Sequence, residues 1–414
     1  MTDATVIILG AGQAGGQCAA SLRRSGFDGR IVLAGSEPHP PYQRPPLSKA
    51  YLAGEIGEDR LWLQPPDVWA DQKVELRLGI TATAIDRDAK TVRFDDGTTQ
   101  TYTHLVIATG SRVRPLPVPG ADLDGVRYLR TIADIDVLKA DFQPGKRIAI
   151  VGGGYIGLEA ASVAKKLGAQ PVVIEAMDRL LARVAVPELS AFYLDAHRTR
   201  GVTVELSAQV EAIEGSQGRA GAVLLADGRE IVCDSVLVGI GVLPNQELAS
   251  AAGLTTGNGI SVDSECRTSD PAIFAIGDCA EQENWLTGTR IRLESVPNAL
   301  DQAKHAAAAV CGTPAPKPEV PWFWSDQFEL KLQTAGVIGQ QDTTLQRRPA
   351  DPAAGHFTLF HLKDGVLIAA DCVNDAHGFM AAKMMIAQRA KPDLDDLVNP
   401  DVPMKDVMKA ALGR

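Results

Sequence analysis

A chain of 414 residues, 45% apolar and 22% charged, has room for two or three globular domains. Its net charge of −10 argues against a nucleic-acid partner, and no apolar run approaches the roughly 20 residues that a membrane helix needs. The six cysteines, Cys18, Cys233, Cys266, Cys279, Cys311 and Cys372, form no C-x-x-C pair, and the seven histidines show no ligand spacing, so no intrinsic metal site is expected.

Met1-Thr2-Asp3 lacks the basic start of a signal peptide, which makes the cytoplasm the expected compartment. The apolar strand Val6-Ile7-Ile8-Leu9 then runs straight into Gly10-Ala11-Gly12-Gln13-Ala14-Gly15, a G-x-G-x-x-G turn that opens a helix. Gly26 and Gly29 end that helix before a second strand, Ile31-Val32-Leu33. The proline-rich loop from Pro38 to Lys49 is expected to be stiff rather than helical, and ordered loops of that length are usually functional. A third strand, Leu105 to Ala108, enters Thr109-Gly110-Ser111, and the proline-rich stretch Arg112 to Gly120 looks like a crossing between domains.

The same grammar then repeats. Ile148-Ala149-Ile150-Val151 enters Gly152-Gly153-Gly154-Tyr155-Ile156-Gly157, and this second β-α-β unit spans about Lys146 to Glu175. Strand patterns follow at Thr203–Leu206, Gly221–Leu225 and Ser235–Gly241, and Gly239 to Asn245 looks like a return crossing. After an apolar strand into Gly277-Asp278 and a proline-rich linker from Thr313 to Pro321, a third region begins at Trp322. It alternates short strands with one helix near Gly378–Gln388.

In each glycine turn the first Gly makes the bend, the second lets backbone approach a pyrophosphate, and the third lets helix pack on strand. The helix N-terminus offers unpaired N–H groups to the phosphates. Two such turns in one chain imply two dinucleotides, and a flavin fed by a nicotinamide cofactor is the economical reading. Glu175 ends the second strand of the second unit, where a carboxylate accepts hydrogen bonds from ribose hydroxyls and repels a 2′-phosphate. That favours NADH, while nearby Arg179 keeps NADPH open.

The stretch Thr268 to Asp278, the Ala108-Thr109-Gly110 turn and the two glycine turns, in this order, resemble the FAD-dependent pyridine-nucleotide oxidoreductases. Disulfide reductases and NADH peroxidases of that superfamily carry redox cysteines shortly after the second strand; here the stretch holds Tyr42, Gln43 and Arg44. Electrons must therefore leave the flavin without a thiol relay. Pro41 to Lys49, Glu294 to Leu300 and Trp322-Phe323-Trp324-Ser325-Asp326-Gln327 narrow the resemblance to the ferredoxin and rubredoxin reductases of bacterial oxygenase systems, across essentially the whole chain.

The resemblance implies an α/β fold with two Rossmann-like dinucleotide-binding domains, glutathione-reductase-like, and a small α+β C-terminal domain. The expected boundaries are 1–115 and 248–321 for FAD, 116–247 for NADH, and 322–414 for the last domain. FAD is expected on Gly10, Gly12, Gln13, Ala14, Gly15, Arg44, Lys49, Ala82, Ala108, Thr109, Gly110, Arg130, Gly277, Asp278, Ser295, Val296 and Trp324. Relatives commonly place an acid at the position of Ser36, and here its neighbour Glu37 is the acid, so either residue takes the adenosine ribose. NADH is expected on Gly152, Gly154, Tyr155, Ile156, Gly157, Glu159, Glu175 and Gly241.

Lys49 and Glu159 are the expected catalytic pair, the lysine favouring electron density at flavin N5 and the glutamate holding the lysine. Hydride transfer itself needs chiefly alignment of the two rings. Pro297 suits the first position of a helix whose dipole would stabilise anionic reduced flavin. Cys18 and Cys279 read as small buried hydrophobes, while Lys304 suits a solvated helix face or an acidic partner. The implied activity is an NADH-dependent reductase passing single electrons to a [2Fe-2S] ferredoxin of a cytochrome P450 or other oxygenase. Rubredoxin, a quinone or radical acceptor, and a signalling role like that of the apoptosis-inducing factors are the alternatives.

Overall fold

The computed structural model describes residues 4–348 and 355–413; Met1-Thr2-Asp3, on which the targeting expectation rests, lies outside them. The chain divides into two compact units, Met1–Gln43 with Asp59–Arg112 and Leu243–Phe323, and Arg44–Glu58 with Val113–Val242 and Trp324–Arg414.

The first unit is built on a parallel sheet in the order Ile273–Ala275, His104–Ile107, Thr5–Leu9, Arg30–Gly35, Val74–Leu78. Along its central strand, Val6 and Ile8 pack on one side with Cys18, Leu22 and Ala303, and Ile7 and Leu9 pack on the other with Val92, Phe94 and Ile260. A strand covered on both faces needs an apolar residue at every position, which is why Val6–Leu9 is an unbroken apolar run. The helices Gln13–Arg24 and Val296–Cys311 pack against each other over one of these faces. Chain order reverses between Thr5–Leu9 and His104–Ile107, and that switch point is where an open α/β sheet leaves a crevice beyond its strand ends.

The second unit repeats the design, with Thr203–Glu205, Gln170–Ile174, Arg147–Val151, Ser235–Val238 and Val126–Arg127 all parallel. One face is covered by the antiparallel strands Val210–Ser216, Arg219–Leu225 and Glu230–Val232, through Ala149, Val151, Val223 and Leu225. The C-terminal region of the same unit is an antiparallel sheet in the order Trp322–Gln327, Leu330–Gly336, Val366–Val373, Phe357–Lys363, Thr343–Arg347. The helix Ala376–Ala387 packs on its central strand. Among the described residues no helix is long and apolar enough to cross a membrane.

Two expectations need correcting. The proline-rich loop is not wholly non-helical: Pro45–Ser48 forms a 3₁₀ turn, because prolines fix φ near the value that a first helical turn requires. The third region has three helices rather than one, since Leu394–Val398 and Met404–Ala411 follow Ala376–Ala387. The first of these is five residues long, and Pro400 and Pro403 hide the start of the second behind turn-like punctuation.

The third glycine of each turn is sterically committed. A Cβ at Gly15 would lie 1.9 Å from the Gly10 carbonyl oxygen, and one at Gly157 would lie 2.1 Å from that of Gly152. Gly15→Ala and Gly157→Ala are each expected to cost about 1–3 kcal/mol or more in chemical denaturation, because backbone must move to admit the methyl. An unchanged midpoint in either variant would contradict this account of helix–strand packing.

Candidate dinucleotide and electron-transfer site

In the first unit the strand ends approach as closely as backbone allows. Gly10 has φ +117°, and a Cβ there would stand 2.1 Å from the Ala108 carbonyl oxygen. Gly12 caps the helix without a side chain, and a Cβ on it would meet nothing within 4 Å. Protein atoms therefore leave space open beside Gly12 at the start of the helix, as a pyrophosphate seated there requires.

The neighbouring loops are tied to this crevice by specific bonds. Thr109 Oγ1 donates to the Asn245 carbonyl at 2.7 Å, and Asn245 Nδ2 returns a bond to the Thr109 carbonyl at 2.9 Å. These hold the turn that ends in Gly110. Ser111 Oγ donates to Asp278 Oδ2 at 2.8 Å. Gly277 has φ +77°, packs 2.9 Å (as a Cβ) from the Ala14 methyl, and donates its N–H to Gln302 Oε1 at 2.8 Å. Gln302, buried on the helix Val296–Cys311, was not expected from sequence; a lone glutamine on an alanine-rich helix carries no local signal.

Ser295 caps that helix by accepting from the Asn298 N–H, and Pro297 is its second residue, one place later than expected. Glu37 Oε2 accepts from the Tyr42 hydroxyl at 2.7 Å, which fixes the acid just beyond the second strand, while Ser36 is exposed. Ala82 begins the strand Ala82–Asp86 and is half-buried. Lys304 pairs with Glu319 at 3.0 Å on the surface.

The second unit carries the matching cradle. Gly152 has φ +111° and its Cβ would stand 2.5 Å from the Gly239 carbonyl oxygen, whereas a Cβ on Gly154 would meet nothing within 4 Å. Ile156, in the first turn of the following helix, is 39% exposed. Glu175 accepts from the Gly153 N–H at 2.6 Å and from the Met177 N–H at 2.8 Å, so its carboxylate is oriented at the strand end. Arg179 is turned away, donating to the Ala182 and Ala185 carbonyls and to Ser190 Oγ. Arg183 lies beside Gly241, its guanidinium 3.1 Å from where a Gly241 Cβ would be.

Lys49 and Glu159, far apart in sequence, are brought together: Lys49 Nζ lies 2.8 Å from Glu159 Oε2. Glu159 is 4% exposed. The same Oε2 accepts from Ser48 Oγ at 2.5 Å, and Oε1 accepts from Ser325 Oγ at 2.7 Å. Arg44, at the start of this segment, donates to the Arg130 carbonyl, and Arg130 donates its N–H to Asp134. Burial pushes the Tyr155 hydroxyl far up, helped by Asp371, Tyr193 and Glu159, so it stays protonated at neutral pH. Trp324 lies half-buried on the strand Trp322–Gln327. A separate cavity of about 600 Å³, lined by Met380, Met384, Met404 and Met408, contains none of these residues.

Residues 4–303 match the pyridine nucleotide-disulphide oxidoreductase family, and residues 322–408 match the reductase C-terminal family. The chain is 51% identical over 398 residues to a probable ferredoxin reductase of Castellaniella defragrans, covering 96% of this chain and 97% of that one. It is 41% identical over 411 residues to the putidaredoxin reductase of Pseudomonas putida, covering 98% and 97%. Among solved structures, the reductase in a covalent putidaredoxin reductase–putidaredoxin complex superposes with a TM-score of 0.97, at 40% identity and full coverage of both chains. A ferredoxin reductase of the CYP199A2 system of Rhodopseudomonas palustris gives 0.93, at 40% identity over 98% of this chain and 99% of that one.

The thiols are poor nucleophiles. Burial raises Cys18 to about 12 and Cys233 to about 11, and it raises Cys266, Cys279, Cys372 and Cys311 as well. Only Cys311 is partly exposed. At pH 8, a disulfide-exchange reagent should therefore label no more than one thiol rapidly in native protein, and all six after denaturation. Rapid labelling of Cys18 or Cys279 would reopen a redox role for them.

Proposed function

The chain belongs to the pyridine nucleotide-disulphide oxidoreductase family, and on that premise we propose that it is an FAD-containing NADH:ferredoxin reductase supplying a bacterial oxygenase. One observation carries the reading: two open glycine cradles, one in each unit, in a chain whose cysteines are all buried except the half-buried Cys311. When bound, FAD accepts a hydride from NADH and releases its electrons singly.

We assign FAD to the first unit. The N–H groups after Gly12 hold its pyrophosphate, Glu37 takes the adenosine ribose, and Asp278, fixed by Ser111, takes the ribityl hydroxyls. The N-terminal end of Val296–Cys311, capped by Ser295, supplies partial positive charge for the N1–O2 edge of the flavin. Ala82, Thr109 and Gly110 border the same cofactor, and the family resemblance of their motifs adds Arg44, Arg130 and Trp324 to the proposed FAD contacts.

NADH is assigned to the cradle at Gly152, Gly154 and Gly157, with Tyr155, Ile156 and Gly241 lining it. Glu175 holds the ribose, and its preference for NADH over NADPH is supported by Arg179 being engaged with carbonyls elsewhere. Lys49, held by Glu159, would supply a fixed positive charge that favours electron density at flavin N5. We take 1–115 and 248–321 as the FAD domain, 116–247 as the NADH domain and 322–414 as the C-terminal domain, and the cytoplasm, where thiols stay reduced, as the compartment.

The electron acceptor is a small [2Fe-2S] ferredoxin. This follows the relatives, named ferredoxin reductase and putidaredoxin reductase, and the complex of the latter with putidaredoxin. With a net charge of −10, global attraction to an acidic ferredoxin is excluded, so docking needs a local basic patch.

On FAD-loaded protein, NADH-driven cytochrome c reduction should depend on added [2Fe-2S] ferredoxin and saturate with it. Bleaching of the flavin by NADH with no response to ferredoxin, but turnover with a quinone, would move the function to a small acceptor. Ferredoxin KM should rise with added salt; salt-independent docking would contradict a charged patch. Glu175→Ala should raise the NADH KM about tenfold, the loss expected for one charged hydrogen bond, and narrow the gap to NADPH. An unchanged KM would remove Glu175 from the ribose site.

A further inference from the structure

Beyond Lys49 and Glu159, the second unit contains a buried hydrogen-bond chain that the electron-transfer reading does not use. Ser325, Gln327 and His197 are each 0% exposed, and they come from two distant parts of the sequence. Ser325 and Gln327 alternate on the strand Trp322–Gln327 and so share one face of it, with Trp324 on the opposite face. His197 lies in the last turn of the helix Pro187–Thr199.

The bonds run in one direction only. His197 Nε2 lies 2.9 Å from Gln327 Oε1, and with the amide in this orientation its oxygen can only accept, which assigns the imidazole proton to Nε2. Gln327 Nε2 can only donate, and it does so to Ser325 Oγ at 3.2 Å. The one hydroxyl proton of Ser325 is thereby directed to Glu159 Oε1, at 2.7 Å. Burial pushes His197 below its ordinary range, opposed by the hydrogen bond to Gln327 and aided by Arg200, so the ring is neutral at pH 7. Its Nδ1 is buried without a hydrogen-bond partner, so nothing competes for the ring's orientation.

The outer end of the chain is clamped. Phe328, in the hairpin turn after Gln327 and at φ +56°, packs edge-on against His197 with ring centroids 5.1 Å apart. Arg200 lies 5.2 Å over the Phe328 ring and pairs with Glu329. A non-glycine residue in the left-handed region is strained, so this turn is held by what it packs on.

We propose that His197, Gln327 and Ser325 are positioning residues for the hydride-transfer step, acting through Glu159 on Lys49. The chain fixes one carboxylate oxygen, leaving the other for Ser48 and Lys49, and so sets where the lysine charge stands. The same anchored strand face fixes the strand that carries Trp324. The inference rests on the assignment of Lys49 to the reaction, but its structural part can be tested apart from turnover.

Three measurements on FAD-loaded protein test it. In wild-type protein labelled with [¹⁵N]histidine, the buried His197 ring should show the neutral Nε2–H tautomer; an Nδ1–H tautomer or a charged ring at pH 7 would overturn the directed chain. Trace acylation read by mass spectrometry should label Lys49 about tenfold faster, relative to exposed Lys317, in Ser325→Ala and Gln327→Leu than in wild type, with Ser325→Thr restoring protection. In stopped flow, the same two variants should slow flavin reduction by NADH about tenfold with the NADH dissociation constant changed less than about twofold. The double variant should be no slower than the worse single one, because a broken chain cannot be broken twice. Lower thermal stability with unchanged Lys49 labelling and unchanged reduction rate would make the chain purely structural and sink the proposal. Failure of wild-type flavin to bleach with NADH would overturn the proposed function instead, while the tautomer and labelling results would still judge the chain.

Discussion

Backbone meets backbone at the end of the central strand in each unit, and the cradles depend on that contact. At Gly10 the carbonyl oxygen of Ala108 occupies the space of a side chain, and at Gly152 the carbonyl of Gly239 does the same. The contact closes the sheet at the point where its chain order reverses, and it turns the strand sharply into its helix. The next glycine of each motif then faces open space with helix N–H groups beside it. Close packing at the first and third glycines and vacancy at the second are one device: the turn must be tight for the amides to converge on a phosphate. That the device occurs twice, on two sheets with the same parallel order, is why the chain is suited to two dinucleotides.

The second constraint is electrostatic. A carboxylate 4% exposed is costly unless it is paired and hydrogen-bonded, and Glu159 has one ammonium and two hydroxyls on its two oxygens. Its partners come from the 3₁₀ turn at Pro45–Ser48, from Lys49 just after it, and from the strand Trp322–Gln327. Two distant stretches of sequence thus converge on a buried charge carried by a third. Removing any partner leaves the others to solvate it in a region that water does not reach, so the arrangement is held as a set. The extension to Gln327 and His197 continues the same logic outward, each group fixing the proton of the next.

The absence of a working thiol defines the chemistry by exclusion within the family. Relatives that reduce disulfides need a thiolate, and thiolates need exposure and nearby positive charge. Here burial raises every cysteine, and the loop where a redox cysteine would stand carries Tyr42 and Arg44 engaged in local bonds. Tyr42 orients Glu37, and Arg44 ties its segment to Arg130, so both side chains are committed to local structure.

Much of this was legible in the sequence because the informative features are local. Unbroken apolar runs at Val6–Leu9 and Ile148–Val151, followed by glycines at fixed offsets, specify strand, turn and helix within some ten residues, and the terminal acid at Glu175 falls where the second strand must end. The absence of cysteine from the loop before Lys49 needed no structure either. Local spacing does not reveal which distant side chains share a proton. Gln302 beneath Gly277, Arg183 beside Gly241, Ser48 and Ser325 on Glu159, and His197 behind Gln327 are ordinary polar residues in ordinary elements. The two short helices after Ala387 were hidden for a different reason, one being five residues long and the other starting just behind prolines. The sequence determined the two cradles and the lack of a thiol, because steric fit and residue type are encoded position by position; the surroundings of the buried carboxylate were decided by tertiary structure, because hydrogen bonds act over about 3 Å and only folding brings those residues within it.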